Sequence, residues 1–252
     1  MSTQYALDLV YQNKSIKNKE IPAATGDLFD NEIEENWNPQ SISWGMIKGY
    51  RESGMPFKTN GAEWVDNGID ADCTEIHFCF FGKKRKHVEE IVVMDNGVGM
   101  DLETLINSFH IGDALVSKQR KSYECGKFGK GGTIGSLCTA AKKETWTRNK
   151  EAAPFIGRCY DLDIVKARNS WDSLSLETTE LKEEYKDLFK EKFGDSTGTI
   201  LVHKKIDKLS NYDINGIAST LRHFLGETFC QYIINERLKI FVDGREVDAK
   251  DP

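Results

Sequence analysis

Glu89-Glu90-Ile91-Val92-Val93-Met94-Asp95-Asn96-Gly97-Val98-Gly99-Met100 begins as a β-strand and ends as a turn. The apolar run 91–94 reads as a hydrophobic strand. Asp95 stands at its end, where burying a carboxylate without a partner costs several kcal/mol. A bound group with a donor edge can be that partner. Gly97 and Gly99 allow either a close approach of the backbone or positive φ, and the residues alone leave open which does which. Taken by itself, the DNGVG segment is also a good turn signal.

Three further segments lie around it. Upstream, apolar residues recur at helical intervals over 61–71, and Glu63, Asn67 and Asp70 are spaced to share one helix face. Trp64, Val65, Ile69 and Ala71 supply the apolar surface on which such a helix packs. The isolated segment could equally be an ordinary wet helix face. Downstream, residues 101–125 read as a helix and lid, followed by Gly126-Lys127-Phe128-Gly129-Lys130-Gly131-Gly132 and a helix beginning near Thr133. Such glycines can bring backbone amides to phosphates, although a plain glycine turn fits the segment too, and the GxxxxGKT spacing of a Walker loop is missing. Lys118 and Lys130 are possible phosphate contacts, but lysines in a polar loop are more often solvated. Last comes Gly198-Thr199, immediately before the apolar residues 200–202.

Together, and in this order, the four segments resemble the GHKL ATPase superfamily with its Bergerat ATP site. The likeness covers most of residues 60–203. Residues 223–247 look like the last helix and strand of that module in the microrchidia-like and MutL-like branches. The resemblance implies ATP and Mg2+ as cofactors. Glu63 then matches the general base that orients and deprotonates water, Asn67 the sole direct protein ligand of magnesium, and Asp70 an aspartate supporting the pocket through water. Asp95 matches the acceptor of the adenine amine, with Gly97 and Gly99 beside the base and Thr199 in the same network. Gly126, Phe128, Gly129, Gly131, Gly132 and Thr133 fall in the phosphate and lid region.

The resemblance departs from pattern in two places. The microrchidia branch has Gly-x-Gly-x-Lys-Ser where this chain has Gly131-Gly132-Thr133-Ile134. In MutL-like and gyrase-like relatives a following transducer domain adds a lysine at the γ-phosphate, whereas this sequence stops at Asp251-Pro252. It is then an N-terminal piece, or its full activity needs something supplied elsewhere. The expected function is slow magnesium-dependent ATP hydrolysis driving lid closure and homodimerisation of a larger protein; the alternative is an ATP-sensing interaction module with negligible turnover. A histidine kinase is disfavoured by Glu63, by the long lid and by the lack of a preceding helix with a phosphoacceptor histidine. The five histidines, His77, His87, His110, His203 and His223, read as packing or surface residues.

Composition bounds the rest. The 252 residues are 39% hydrophobic and 29% charged, as a globular chain is, and the net charge of -6 disfavours a general nucleic-acid coat without excluding a local basic patch. No apolar run suits a secretory signal or a membrane span, so an intracellular, cytoplasmic protein is the default. The six cysteines show no CxxC pair and read as reduced thiols, Cys125 included. The run GKKRKH reads as a turn, a nucleic-acid signal being the alternative. The expected fold is an α/β two-layer sandwich: a mixed, mostly antiparallel sheet with helices on one face. Its strands are placed near 75–81, 89–94, 154–162, 198–204 and 238–242, with helical patterns at 42–50, 178–192 and 213–235. Residues 1–40 are expected to be an arm crossing to a second copy or a local cap, and 41–252 the ATP-binding domain with its lid at about 101–135.

Overall fold

The computed structural model describes residues 42–111, 131–169, 171, 174–176 and 181–250. The arm 1–40, most of the lid and Cys125 lie outside these residues. Two helices come first, α1 (Trp44–Glu52) and α2 (Phe57–Asp70), then the hairpin β1 (Glu75–Lys83) and β2 (His87–Asp95). A short helix α3 (Leu102–Asn107) precedes the undescribed stretch, and α4 (Gly131–Leu137) follows it. Next come β3 (Ala140–Arg148), β4 (Ile156–Asp161), α5 (Leu162–Arg168), β5 (Leu174–Leu176), α6 (Glu183–Phe193) and β6 (Gly198–Ile206). The described part closes with α7 (Ile214–Thr228), α8 (Cys230–Ile234), β7 (Lys239–Val242) and β8 (Arg245–Glu246).

The eight strands form one mixed sheet in the order β5-β4-β3-β6-β2-β1-β7-β8, antiparallel except for the β1–β7 pair. Alternate residues of a strand face opposite sides, and β2 shows the consequence. Ile91 and Val93 join Trp64 and Val65 of α2 and Leu221 and Leu225 of α7 in one core. On the same side, Tyr160 of β4 gathers Ile47 of α1, Leu105 of α3, Leu137 of α4 and Val165 of α5. The α/β sandwich expected from the sequence therefore forms. Val92 and Met94 face the other way, where Tyr185 and Phe189 of α6 and Trp146 of β3 cover part of the opposite face. Among the C-terminal apolar residues, Leu225 and Phe229 are buried, while Phe224, Tyr232 and Ile233 pack partly buried against this core.

Sequence reading missed the short edge strands β5 and β8 and also β3, which is central, lying between β4 and β6. Its sequence AAKKETWTR shows no clean alternation because polar residues occupy buried positions: Lys143, Glu144, Thr145 and Thr147 are all buried. Glu144 is met by Lys204 Nζ at 2.6 Å and Lys142 Nζ at 3.4 Å. Lys143 has its ammonium over the Phe109 ring, 4.6 Å from the centroid, and burial pushes its pKa down to about 7. An unfolded lysine holds its proton to near pH 10, so over that window the unfolded chain binds more protons and stability rises with pH. Lys143→Met keeps the volume without the buried amine. We expect a thermal midpoint raised by roughly 2–6 °C at pH 7 and a flatter stability profile from pH 7 to 10, read by thermal melts across that range. An unchanged profile would show that the amine carries no such penalty.

Other boundaries shift for local reasons. The C-terminal helical pattern breaks at Phe229 into α7 and α8, and α7 starts where the Asp213 side chain accepts from the Gly216 amide. In the basic run, Lys84 and Arg85 take positive φ in the β1–β2 turn, and Arg85 pairs with Asp243 in the β7–β8 turn. Among the described residues no helix is long and apolar enough to cross a membrane.

Candidate functional site

Asp95 ends β2, registered between Ile76 of β1 and Thr199 of β6. Its Oδ1 accepts from the Gly97 amide at 2.9 Å. Burial pushes its pKa up to about 6, and backbone hydrogen bonds from Gly97 and Thr199 only partly oppose that rise. No cation of the described residues pairs with it. The Thr199 hydroxyl lies 3.2 Å from that of Thr147, which donates to the Gly198 carbonyl and accepts from the Met100 amide. Asp95, Thr199 and Thr147 thus form one row across three neighbouring strands.

The turn after Asp95 is fastened on every side. Asn96 Oδ1 accepts from the amides of Thr74 and Glu75, the Val98 amide donates to the Ala71 carbonyl, and the Thr197 hydroxyl donates to the Gly97 carbonyl. The two glycines now separate by role. Gly99 has φ +67°, and a Cβ there would stand 2.1 Å from the Arg148 carbonyl oxygen. Gly97 serves close approach, since a Cβ would lie 2.7 Å from the Ala71 carbonyl oxygen.

Helix α2 reaches the Asp95 end of this row at Gly68. A Cβ on Gly68 would be 3.9 Å from Asp95 Cβ. Glu63 and Asp70 are half-buried on this helix, while Asn67 is exposed. Asp66 joins them: burial first, then the neighbouring Glu63 and Asp70 carboxylates, push its pKa up to about 6. Asn67 also meets α4, where a Cβ on Gly132 would fall 2.5 Å from Asn67 Nδ2. The structure therefore brings Asn67, Gly132, Asp95, Gly97 and Thr199 into one neighbourhood.

The α4 helix begins at Gly131, two residues before the sequence expectation. Thr133 is buried, and its hydroxyl donates to the Ser108 carbonyl at 2.7 Å, tying α4 to the end of α3. Gly126, Phe128, Gly129, Lys118 and Lys130 lie outside the described residues. Sequence reading missed Asn96, Asp66, Thr147 and Thr197. Asn96 stood inside the quoted turn, Asp66 beside the α2 row and Thr197 just ahead of Gly198. Thr147 gave no signal because its strand went unread.

Residues 56–199, more than half of the chain, match the family described as histidine kinase-, DNA gyrase B- and HSP90-like ATPases. The chain belongs to this family. The ATPase domain is also 25% identical over 235 residues to ATPase MORC2B of Mus musculus, an alignment covering 75% of this chain and 23% of that protein. The chain thus spans about a quarter of its relative's length. Membership associates the domain with ATP binding and ATPase activity in general, and the matched range includes α2, the Asp95 turn and Thr199.

The residues fit an adenine nucleotide. Asp95 is a half-buried acceptor without a cation among the described residues, as an exocyclic amine requires, and Asn67, an exposed residue, carries an amide oxygen of the kind a hard cation accepts.

Proposed function

We propose that this domain binds ATP with magnesium between α2, the Asp95 turn and α4, and hydrolyses it slowly to drive lid closure and homodimerisation of a larger, cytoplasmic protein. The observation that carries the reading is the half-buried Asp95 carboxyl, registered with Thr199 and approached at Gly68 by the helix that bears Glu63 and Asn67. Asp95 and Thr199 hold adenine. Guanine would turn a carbonyl toward the Asp95 acceptor, which gives selectivity. Gly97 and Gly99 shape the turn on which the base rests.

Glu63 orients and deprotonates the attacking water, and Asp70 supports the pocket through water and neighbouring groups. Asn67 is the protein ligand of magnesium, which when bound offsets phosphate charge. Gly126, Phe128, Gly129, Gly131, Gly132 and Thr133 belong to the phosphate and lid segment, residues 101–135. Residues 1–40 form the arm or cap and 41–252 the ATP-binding domain. The likeness to ATPase MORC2B supports the microrchidia-like branch over the MutL-like one.

Sedimentation at matched protein concentration without nucleotide, with ADP-magnesium and with a nonhydrolysable ATP analogue tests the clamp. Dimers are expected only with the analogue, because ADP leaves the γ-phosphate position empty and gives the lid less to close on. A protein that binds the analogue one-to-one yet stays monomeric in all three states would overturn dimerisation. Single-turnover assays then separate the ATPase from a sensing module, which would bind ATP without releasing phosphate.

A further inference from the structure

His203 is fully buried in β6, between Ile91 of β2 and Lys143 of β3. Its ring stacks on Trp64 of α2 with centroids 4.5 Å apart and planes at 28°. Its Nε2 lies 3.0 Å from Ser136 Oγ of α4, and that hydroxyl donates to the Gly132 carbonyl at 2.7 Å. With its proton committed to Gly132, the Ser136 hydroxyl accepts from His203, so the imidazole carries its proton on Nε2. Burial and then the nearby Lys143 amine push the His203 pKa down to about 3, only partly opposed by the Ile91 backbone, which keeps the ring neutral. Nδ1 is then a buried acceptor beside the Ile91 backbone without a well-formed hydrogen bond. An apolar ring would stack on Trp64 without leaving that acceptor unsatisfied. What an apolar ring cannot supply is the donor to Ser136.

Trp64 adjoins Glu63 in sequence, and Gly132 is the residue that backs Asn67. A single buried side chain therefore links the helix bearing Glu63 and Asn67 to the first turn of α4. We propose that His203 is a positioning residue which, through Ser136, sets the first turn of α4 against Asn67 and so fixes the triphosphate end of the site, leaving the adenine end untouched. This rests on the ATP reading above.

The test uses the full chain with Ser136→Ala, His203→Phe and His203→Gln. Two ligands are titrated in magnesium, a nonhydrolysable ATP analogue and adenosine, and amide exchange over 131–137 is followed without ligand. Ser136→Ala and His203→Phe should weaken the analogue by about 3- to 10-fold, the range of one lost hydrogen bond, with adenosine binding unchanged and exchange in α4 faster. His203→Gln, which restores a donor, should recover most of the analogue affinity. Equal weakening of both ligands, or parental affinity together with parental exchange, would overturn the proposal. If the parent binds neither ligand, the ATP reading itself fails, and the exchange rates still decide whether His203 braces α4.

Discussion

Glu63→Ala is expected to lower phosphate release by at least about 100-fold, within the range contributed by a general base, while ATP binding persists. Glu63 lies on α2 one helical turn before Asn67, and its charge is felt at Asp66. Removing it relieves part of the pressure that raises the Asp66 pKa, so the fold should not suffer. Thermal melts and analogue titration on the same preparation separate lost chemistry from lost structure. Hydrolysis equal to the parent, after contaminating ATPases are removed, would end the assignment of Glu63 as the base. Weakened binding together with lost turnover would instead make Glu63 part of the pocket's structure.

Asp95→Asn should abolish adenine recognition, weakening adenosine by at least about 100-fold, because a site built around a hydrogen bond rejects the mismatched partner strongly. Asparagine offers only one acceptor oxygen, and its amide nitrogen would oppose the Gly97 or Thr199 donors that now meet the carboxylate. The pH dependence has a definite sign. With Asp95 raised to about 6, adenosine binding should fall as pH drops through 6, since the protonated carboxyl loses its acceptor. Stability of the ligand-free fold runs the other way. A carboxyl whose folded pKa is raised contributes stability fully present below the unfolded pKa, and that contribution is lost as pH rises through 6. Asp95→Asn should therefore match or exceed the parent's melting temperature at neutral pH while losing the shift that adenosine confers. Asp66 titrates in the same window, so Asp66→Asn serves as the control and should retain the fall in adenosine binding below pH 6.

The parts of the fold legible in the sequence were those with one dominant signal. The run 91–94 is apolar because β2 is covered on both faces, by α2 on one and α6 on the other. The α2 row was legible because Glu63, Asn67 and Asp70 keep helical spacing beside buried Trp64 and Val65. Strand β3 was not legible, since its helix-facing positions are Lys143, Thr145 and Thr147, which read as solvated in any linear pattern. Its burial comes from neighbours distant in sequence, such as Phe109 under the Lys143 ammonium and Thr199 beside Thr147. The same holds within the site. Asp95 announced itself by standing at the end of an apolar run, but the fastening of its turn by Thr197 and Ala71 depends on pairings formed only in three dimensions. His203 read as an ordinary packing histidine, and its bond to Ser136 joins residues 67 positions apart.

The most direct test of the central proposal is calorimetric titration of the full chain with nonhydrolysable ATP and GTP analogues, each with and without magnesium. The expected result is one ATP-analogue site per chain, tighter with magnesium, with the GTP analogue weaker by about 100-fold or more on the scale of a mismatched buried hydrogen bond. Equal affinity for the two purine analogues, or no binding of either, would contradict the placement of an adenine nucleotide against Asp95.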